Sequence, residues 1–290
     1  MRRLYFDTSA INWLADEPKR SLIFKALSQD ACSISIFTVV ELASTPNDAR
    51  RIHLLSTAKQ LTGDYRPLAM PGEILSRSAS AFINREETMN PSMGEDWDGI
   101  WHALCDPTLI DKQALNEAQA WKSKQQKWYQ DMHEIGRPYV QADMSRLSEP
   151  ERKWIVQFPS RLLKHFARNR EFLLHIVSDL APSTITVSRE IAEGIIDNLE
   201  PWRFFLAAMA YGMYSRSLQI NGYGKQSNPG SIDTQQAIYL AGCDVFVTAD
   251  EGRQSGPWGG QLAMMRMILP FGTQHREVWH FNRLVEMCSA

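Results

Sequence analysis

No two cysteines in this 290-residue chain stand at CxxC or CxxH spacing, although there are four of them, Cys32, Cys105, Cys243 and Cys288. The missing spacing excludes a Cys/His zinc framework. Scattered cysteines, three of them in apolar contexts, read as reduced, buried thiols. HExxH, GxSxG and a Walker GKS or GKT are absent as well, so zinc-protease, serine-nucleophile and P-loop chemistry have no support. Apolar runs are short. None approaches the roughly 18 residues of a membrane span, and the N-terminus goes straight into a strand pattern, so a cytoplasmic protein without a leader or membrane contact is expected. Net charge is nearly absent too, at −2, and a nucleic-acid partner has to be argued from local patches.

What is present is enough apolar content, 44%, for one large core or two small ones. Its pattern at the two chain ends alternates short strands with helices. Arg3 to Phe6 reads as a strand, and Asp7 follows at its exit. Thr8 or Ser9 can open a helix that carries Ala10, Ile11, Trp13 and Leu14. Ser33 to Thr38 reads as a second strand, with Glu41 in the first turn of the helix behind it. From Ser231 to Glu251 (SIDTQQAIYLAGCDVFVTADE), Asp233 is a good N-cap and Thr234 to Ala241 a short helix that Gly242 can stop. Val245 to Thr248 is then a buried parallel strand, and Glu277 to Phe281 a last one. A helix of about eight residues descends about 12 Å, and a strand of about four climbs about 13 Å back. Asp233 and Asp250 therefore finish at one edge, the carboxyl end of the strands, where open α/β sheets bind ligands.

Each acid taken singly has an ordinary explanation as a helix cap, with Thr38 to Glu41 as a capping box. Capping does not explain why Asp7, Glu41, Asp233 and Asp250 all fall on the same edge. Four like charges with no nearby Lys or Arg repel, and a divalent cation resolves the repulsion. Oxygen-only ligands suit Mg²⁺ or Mn²⁺.

Leu4 to Leu14 (LYFDTSAINWL), Ile34 to Ser44 (ISIFTVVELAS) and Ser231 to Glu251, in that order, resemble the motifs of the PIN-domain ribonucleases. The matching parts, roughly residues 1–57 and 230–281, cover about a third of the chain. The resemblance implies a PIN-like α/β fold, a parallel central sheet flanked by helices. It places Asp7, Glu41, Asp233 and Asp250 at the family's four acidic positions, and Thr248 at the hydroxyl position two residues before the last acid. It also implies a ribonuclease that uses Mg²⁺ or Mn²⁺ on single-stranded RNA. Small members include the toxins of VapBC-type pairs, which makes an antitoxin protein and a homodimer expected partners. A DNA or flap-structure nuclease of the same fold and a catalytically inactive RNA-binding module remain the alternatives.

This chain departs from the small members in its middle, where residues 69–229 form a large, mostly α-helical insertion between the core halves 1–68 and 230–290. Pro71 and Glu73 open one helix, and a long one follows Asp111. Its apolar stripe is Ala114, Leu115, Ala118, Trp121, Trp128, Met132 and Ile135, with Lys122, Lys124 and Lys127 off the stripe. Between Arg152 and Arg170 lie six basic residues and no acid. Arg161, Lys164 and Arg168 share one helical face, which is either a solvated surface or a stripe that tracks phosphates. Pro182 to Val187 can add an edge strand, and Trp202 to Leu218 forms a helix rich in small residues. The loop after it puts Lys225 within reach of Asp233, to steady a phosphate oxygen. A second glycine-rich loop follows Asp250.

Overall fold

In the computed structural model of this protein, residues 1–86, 97–153, 159–181, 186–220, 230–251 and 260–289 are described. The chain is α/β. Four parallel strands, β1 (Arg3–Phe6), β2 (Ala31–Ser33), β3 (Val245–Thr248) and β4 (Glu277–His280), form one sheet in the order β2-β1-β3-β4. Leu4 pairs with Cys32 on one side and with Val245 on the other, and Val245 pairs with Glu277.

Before β3 run the helices α1 (Thr8–Asp16), α2 (Arg20–Ala26), α3 (Ile36–Ala43), α4 (Asp48–Thr62), α5 (Pro71–Asn84), α6 (Asp98–Cys105) and α7 (Lys112–Ser145). They are followed by α8 (Glu149–Lys153), α9 (Pro159–Arg168), α10 (Arg170–Leu180), α11 (Arg189–Asn198), α12 (Glu200–Ile220) and α13 (Ser231–Gln236). The last two are α14 (Gly260–Ile268) and α15 (Phe281–Ser289).

Strand side chains alternate between faces, and each face of this sheet is buried in its own apolar cluster. Leu4, Phe6, Val245 and Val247 pack with Ala10 and Leu14 of α1, Leu54 and Leu55 of α4 and Leu284 of α15. Tyr5, Phe246 and Val278 belong to a second cluster, shared with Trp202, Phe204 and Phe205 of α12 and with Tyr239. The helices after residue 69 thus close one face of the sheet. Helix α12 is buried on all sides from Phe204 to Ser215, the burial expected of a central helix. Its Trp202 indole donates to the Leu75 carbonyl at 3.1 Å.

Several local expectations are corrected. The strand expected over Ser33 to Thr38 ends at Ser33, and Ile36 to Thr38 are already helical. Ser35 is the N-cap, its hydroxyl accepting from the Thr38 amide at 3.2 Å. Glu41 therefore sits in the last turn of α3, and Thr38 is no cap. The misreading has a physical cause, because every residue from Ile36 to Val40 is buried and a short helix covered all round has the composition of a strand. Gly230, not Asp233, is the N-cap of α13; Asp233 is its third residue and accepts from the Gly230 amide at 2.8 Å. Ile135 of the expected apolar stripe is exposed, and α7 buries Tyr129, His133, Gly136, Val140, Asp143 and Met144 instead. Residues 182–185 of the expected edge strand lie outside the described residues, as do Lys225 and residues 252–259; Thr186 to Ser188 are not in a strand.

Cys32 and Cys243 are buried, and loss of hydration pushes both thiols up to about 12. Cys105, by contrast, is exposed, and none of the four is bridged. Among the described residues no helix is long and apolar enough to cross a membrane.

Candidate functional site

The carboxyl ends of β1 and β3 deliver Asp7 and Asp250. Asp7 is buried and caps α1: its Oδ1 accepts from the Ala10 amide at 2.7 Å. The Ser9 hydroxyl reaches Oδ1 and Oδ2 at 2.9 and 2.8 Å, and Thr248 Oγ1 donates to Oδ2 at 2.7 Å. Thr248 is fully buried at the end of β3. Its oxygen also accepts from the Asp250 amide at 3.1 Å and lies 3.0 Å from the Gln261 side-chain amide. One hydroxyl has one proton, and the charged acceptor takes it. The Gln261 amide then presents its NH₂ to Thr248. Turning the Gln236 amide with it keeps their 2.6 Å bond and gives the otherwise unpaired Gln236 NH₂ an acceptor, since the orientation of an amide follows from its network. Asp250 Oδ2 in turn accepts from the Gln261 backbone N–H at 2.9 Å. Asp7, Ser9, Thr248, Asp250 and Gln261 are thereby one connected group.

Glu41 and Asp233 approach the same edge from α3 and α13. Glu41 accepts from the Thr8 hydroxyl at 2.6 Å, beside Asp7. The electrostatics join the four acids. Loss of hydration pushes the Asp7 carboxyl up to about 7, with the Asp233 charge adding to it against the hydrogen bonds from Ala10, Thr248 and Ser9. Asp233 is pushed up to about 7 by loss of hydration and by the charges of Glu41 and Asp250, against the Gly230 amide and the Lys122 ammonium. Asp233 is thus within electrostatic reach of Asp7, Glu41 and Asp250, and Thr248 is hydrogen-bonded to Asp7.

The charge picture differs from the expectation in one respect: a lysine is present. Lys122, on α7, places its ammonium 3.2 Å from Glu41 Oε1. Below it the same helix continues along the edge. Gln125 accepts from Gln235 at 3.1 Å, and Tyr129 Oη is hydrogen-bonded to Thr234 Oγ1 at 3.2 Å. Sequence reasoning missed Ser9, Lys122, Gln125, Tyr129 and Gln261. Ser9 had a signal in its place two residues after Asp7. The others had none, because only the packing of α7 and α14 carries them to this edge.

The basic face of α9 is not brought here as a free stripe. Arg168 pairs with the buried Asp143 at 3.2 Å. Arg161 and Lys164 both act on Glu151, whose carboxyl is held low first by the Ser148 amide and hydroxyl. Arg170 pairs with Asp197 at 2.9 Å.

Among the described residues no three His, Cys, Asp or Glu side chains are grouped closely enough to hold a metal ion as they stand. Each acid is turned to its own partner: Asp7 to Ala10, Ser9 and Thr248, Asp250 to Gln261, Asp233 to Gly230, and Glu41 to Thr8 and Lys122. The donor set fits a hard cation in chemistry, being all carboxylate oxygens with lone pairs to spare. The mutual repulsion at Asp233 supplies a reason to take one up.

A pH dependence follows. The unfolded chain releases the protons of Asp7 and Asp233 near 4, and the folded protein only near 7. Between those values the folded state holds more protons, so stability falls as pH rises. In chelator, the melting temperature is expected to drop from about pH 5 to about pH 8, and the double variant Asp7→Asn, Asp233→Asn to show a flatter profile in differential scanning fluorimetry. An equally steep profile in that variant would show that these two carboxyls do not titrate as described.

Comparison with protein-family models, with curated proteins and with solved structures gives no match.

Proposed function

We propose that this protein is a metal-dependent nuclease that hydrolyses phosphodiester bonds of single-stranded RNA, the activity implied by the resemblance of its motifs to the PIN-domain ribonucleases. The observation that carries the reading is that Asp233 feels the charges of Glu41 and Asp250, and Asp7 that of Asp233, beside the carboxyl ends of β1 and β3. Asp7 and Asp233, deprived of hydration and repelled by neighbouring carboxylates, are costly to fold, and costly arrangements of ionisable groups concentrate at functional sites.

In this reading Asp7 and Asp250 hold Mg²⁺ or Mn²⁺ directly, and Glu41 and Asp233 do so through water or with a second ion. A bound divalent ion supplies Lewis acidity toward the phosphodiester and its attacking water. The residues supply the rest. Thr248 and Ser9 fix the Asp7 carboxylate in place. Asp233, held above the usual carboxylate range by loss of hydration and by Glu41 and Asp250 in the metal-free protein, would be the acceptor for the proton of the attacking water. Lys122, paired with Glu41, would be the cation at hand for a phosphate oxygen if Glu41 held a divalent ion. The role of a toxin restrained by an antitoxin protein, and a homodimeric state, belong to the same reading; Lys225 would serve the strand from its loop.

The test is a thermal-shift titration with Mn²⁺, alongside cleavage of single-stranded RNA, single-stranded DNA and a flap substrate. Mn²⁺ is expected to raise the melting temperature of the wild type and not that of Asp7→Asn, Asp250→Asn, and single-stranded RNA to be cut fastest. An equal response of the double variant would place the metal elsewhere. Preferred cutting of the flap would turn the reading to a DNA nuclease, and metal binding without turnover of any substrate to an inactive binding module.

A further inference from the structure

Helix α1 starts at Thr8, directly after Asp7, and buries Ala10, Ile11, Leu14 and Ala15. Trp13 is left out. It is 47% exposed, and among the described tryptophans it alone is exposed. Single apolar residues at a surface are ordinary, so the exposure decides nothing until the place of the ring is known.

The Trp13 indole is packed edge-on with two rings, His280 at a centroid distance of 5.5 Å and Phe281 at 6.0 Å. His280 is the last residue of β4 and pairs in register with Thr248, the last of β3. Trp13 therefore lies at the carboxyl end of the sheet, the end that delivers Asp7 and Asp250. Glu251, next to Asp250, agrees with that place, its Oε1 lying 3.4 Å from His280 Nε2. The two supporting rings are themselves fixed. His280 Nδ1 accepts from the Asn282 backbone N–H at 3.2 Å, and Phe281 is buried.

The neighbours of the indole are thus an imidazole, a phenyl ring and, past the imidazole, a carboxylate. Such a setting suits an uncharged planar group better than a phosphate. Nucleic-acid bases stack on aromatic side chains whatever their sequence, because every base has a π-face. We propose that Trp13 is a stacking platform for one base of the single strand that enters the carboxylate edge. This rests on the nuclease reading, and it gives the strand a hold that charge does not supply, since Lys122 at this edge is already paired with Glu41.

Binding is measured on the full chain in chelator, where no turnover occurs, with a fluorescent single-stranded RNA and with a strand of equal length and charge that carries no bases. The wild type is expected to prefer the RNA. Trp13→Ala should weaken RNA binding on the order of tenfold, the scale of one base–aromatic stack, and bind the baseless strand as the wild type does. The log–log salt slope should stay the same, because no phosphate contact is lost. Trp13→Phe, which restores a ring, should recover most of the RNA affinity.

Equal RNA binding by the wild type and Trp13→Ala overturns the platform. So does a Trp13→Ala variant that binds both strands more weakly by the same factor, since that is a structural loss, and so does a wild type that does not distinguish the two strands. Failure of the nuclease reading looks different, since it appears as absent cleavage in Mn²⁺ by a wild type that still prefers the RNA through Trp13.

Discussion

Asp233→Asn is expected to melt at a higher temperature than the wild type in chelator at about pH 8, yet to cut single-stranded RNA at least about a hundredfold more slowly, the scale of losing a positioned acid–base group. The two changes come from one carboxylate. Its link to the fold is the bond that Asp233 Oδ2 accepts from the Gly230 amide, and the carbonyl oxygen of an asparagine can accept the same bond. What the substitution removes is a charge raised against loss of hydration and against Glu41 and Asp250. The folded state gains by losing it, while a hard cation or a water that needs a base loses its partner. Asp244→Asn is the control. That acid is tied to the Arg3 amide and guanidinium at 2.8 and 2.7 Å, at the amino end of β3, so its loss should leave cleavage unchanged. Cleavage by Asp233→Asn at the wild-type rate in Mn²⁺ would reduce the residue to its contact with Gly230.

Asp143→Ala is expected to lower stability by about 3 kcal/mol, the range seen when one partner is removed from a buried charged network. Asp143 Oδ2 is 2.5 Å from His165 Nδ1 and accepts from Tyr214 Oη at 2.8 Å, and Oδ1 accepts from Arg168 at 3.2 Å. Asp143, His165 and Tyr214 are all buried, and the three lie on α7, α9 and α12, so one carboxylate fastens these helices together. Without it the Tyr214 and His165 donors face an apolar interior unpaired. At roughly 2 °C per kcal/mol for a chain of this size, the melting temperature should fall on the order of 6 °C. Because α7 also carries Lys122, the variant should lose some RNA cleavage while its Mn²⁺ response persists. A melting temperature within one degree of the wild type would show that the network does not hold the insertion.

How much of this could be read beforehand varied by residue. Asp7 and Asp250 were legible because each lies within two residues of the end of a short strand, buried from Leu4 to Phe6 in one and throughout in the other, and a strand exit is fixed by local pattern. Asp233 was placed on the right edge for a partly wrong reason: its spacing from β3 was legible, but its standing as third residue rather than cap was not, because Gly230 and Asp233 can exchange those roles on local sequence alone. Glu41 was likewise placed by an incorrect strand over Ser33 to Thr38. The error did not matter to the site, since α3 starts early and carries Glu41 round to Thr8. The basic face of α9 was misjudged, because the acid that takes up Arg168 lies on another helix.

By itself the sequence determined β1, β3 and β4, their α/β alternation with helices and the acids just past β1 and β3, all consequences of short buried apolar runs and of chain punctuation within about twenty residues. Only the tertiary structure decided what neutralises and surrounds those acids. Thr248 and Asp7 are 241 residues apart, and Tyr129 and Thr234 are 105 apart. Lys122 reads as one of three solvated lysines until α7 is laid across the sheet edge. Contacts of that kind depend on how whole helices pack, and the place of α7 is set by its summed apolar fit to α3, α12 and α13, to which the lysine itself contributes almost nothing.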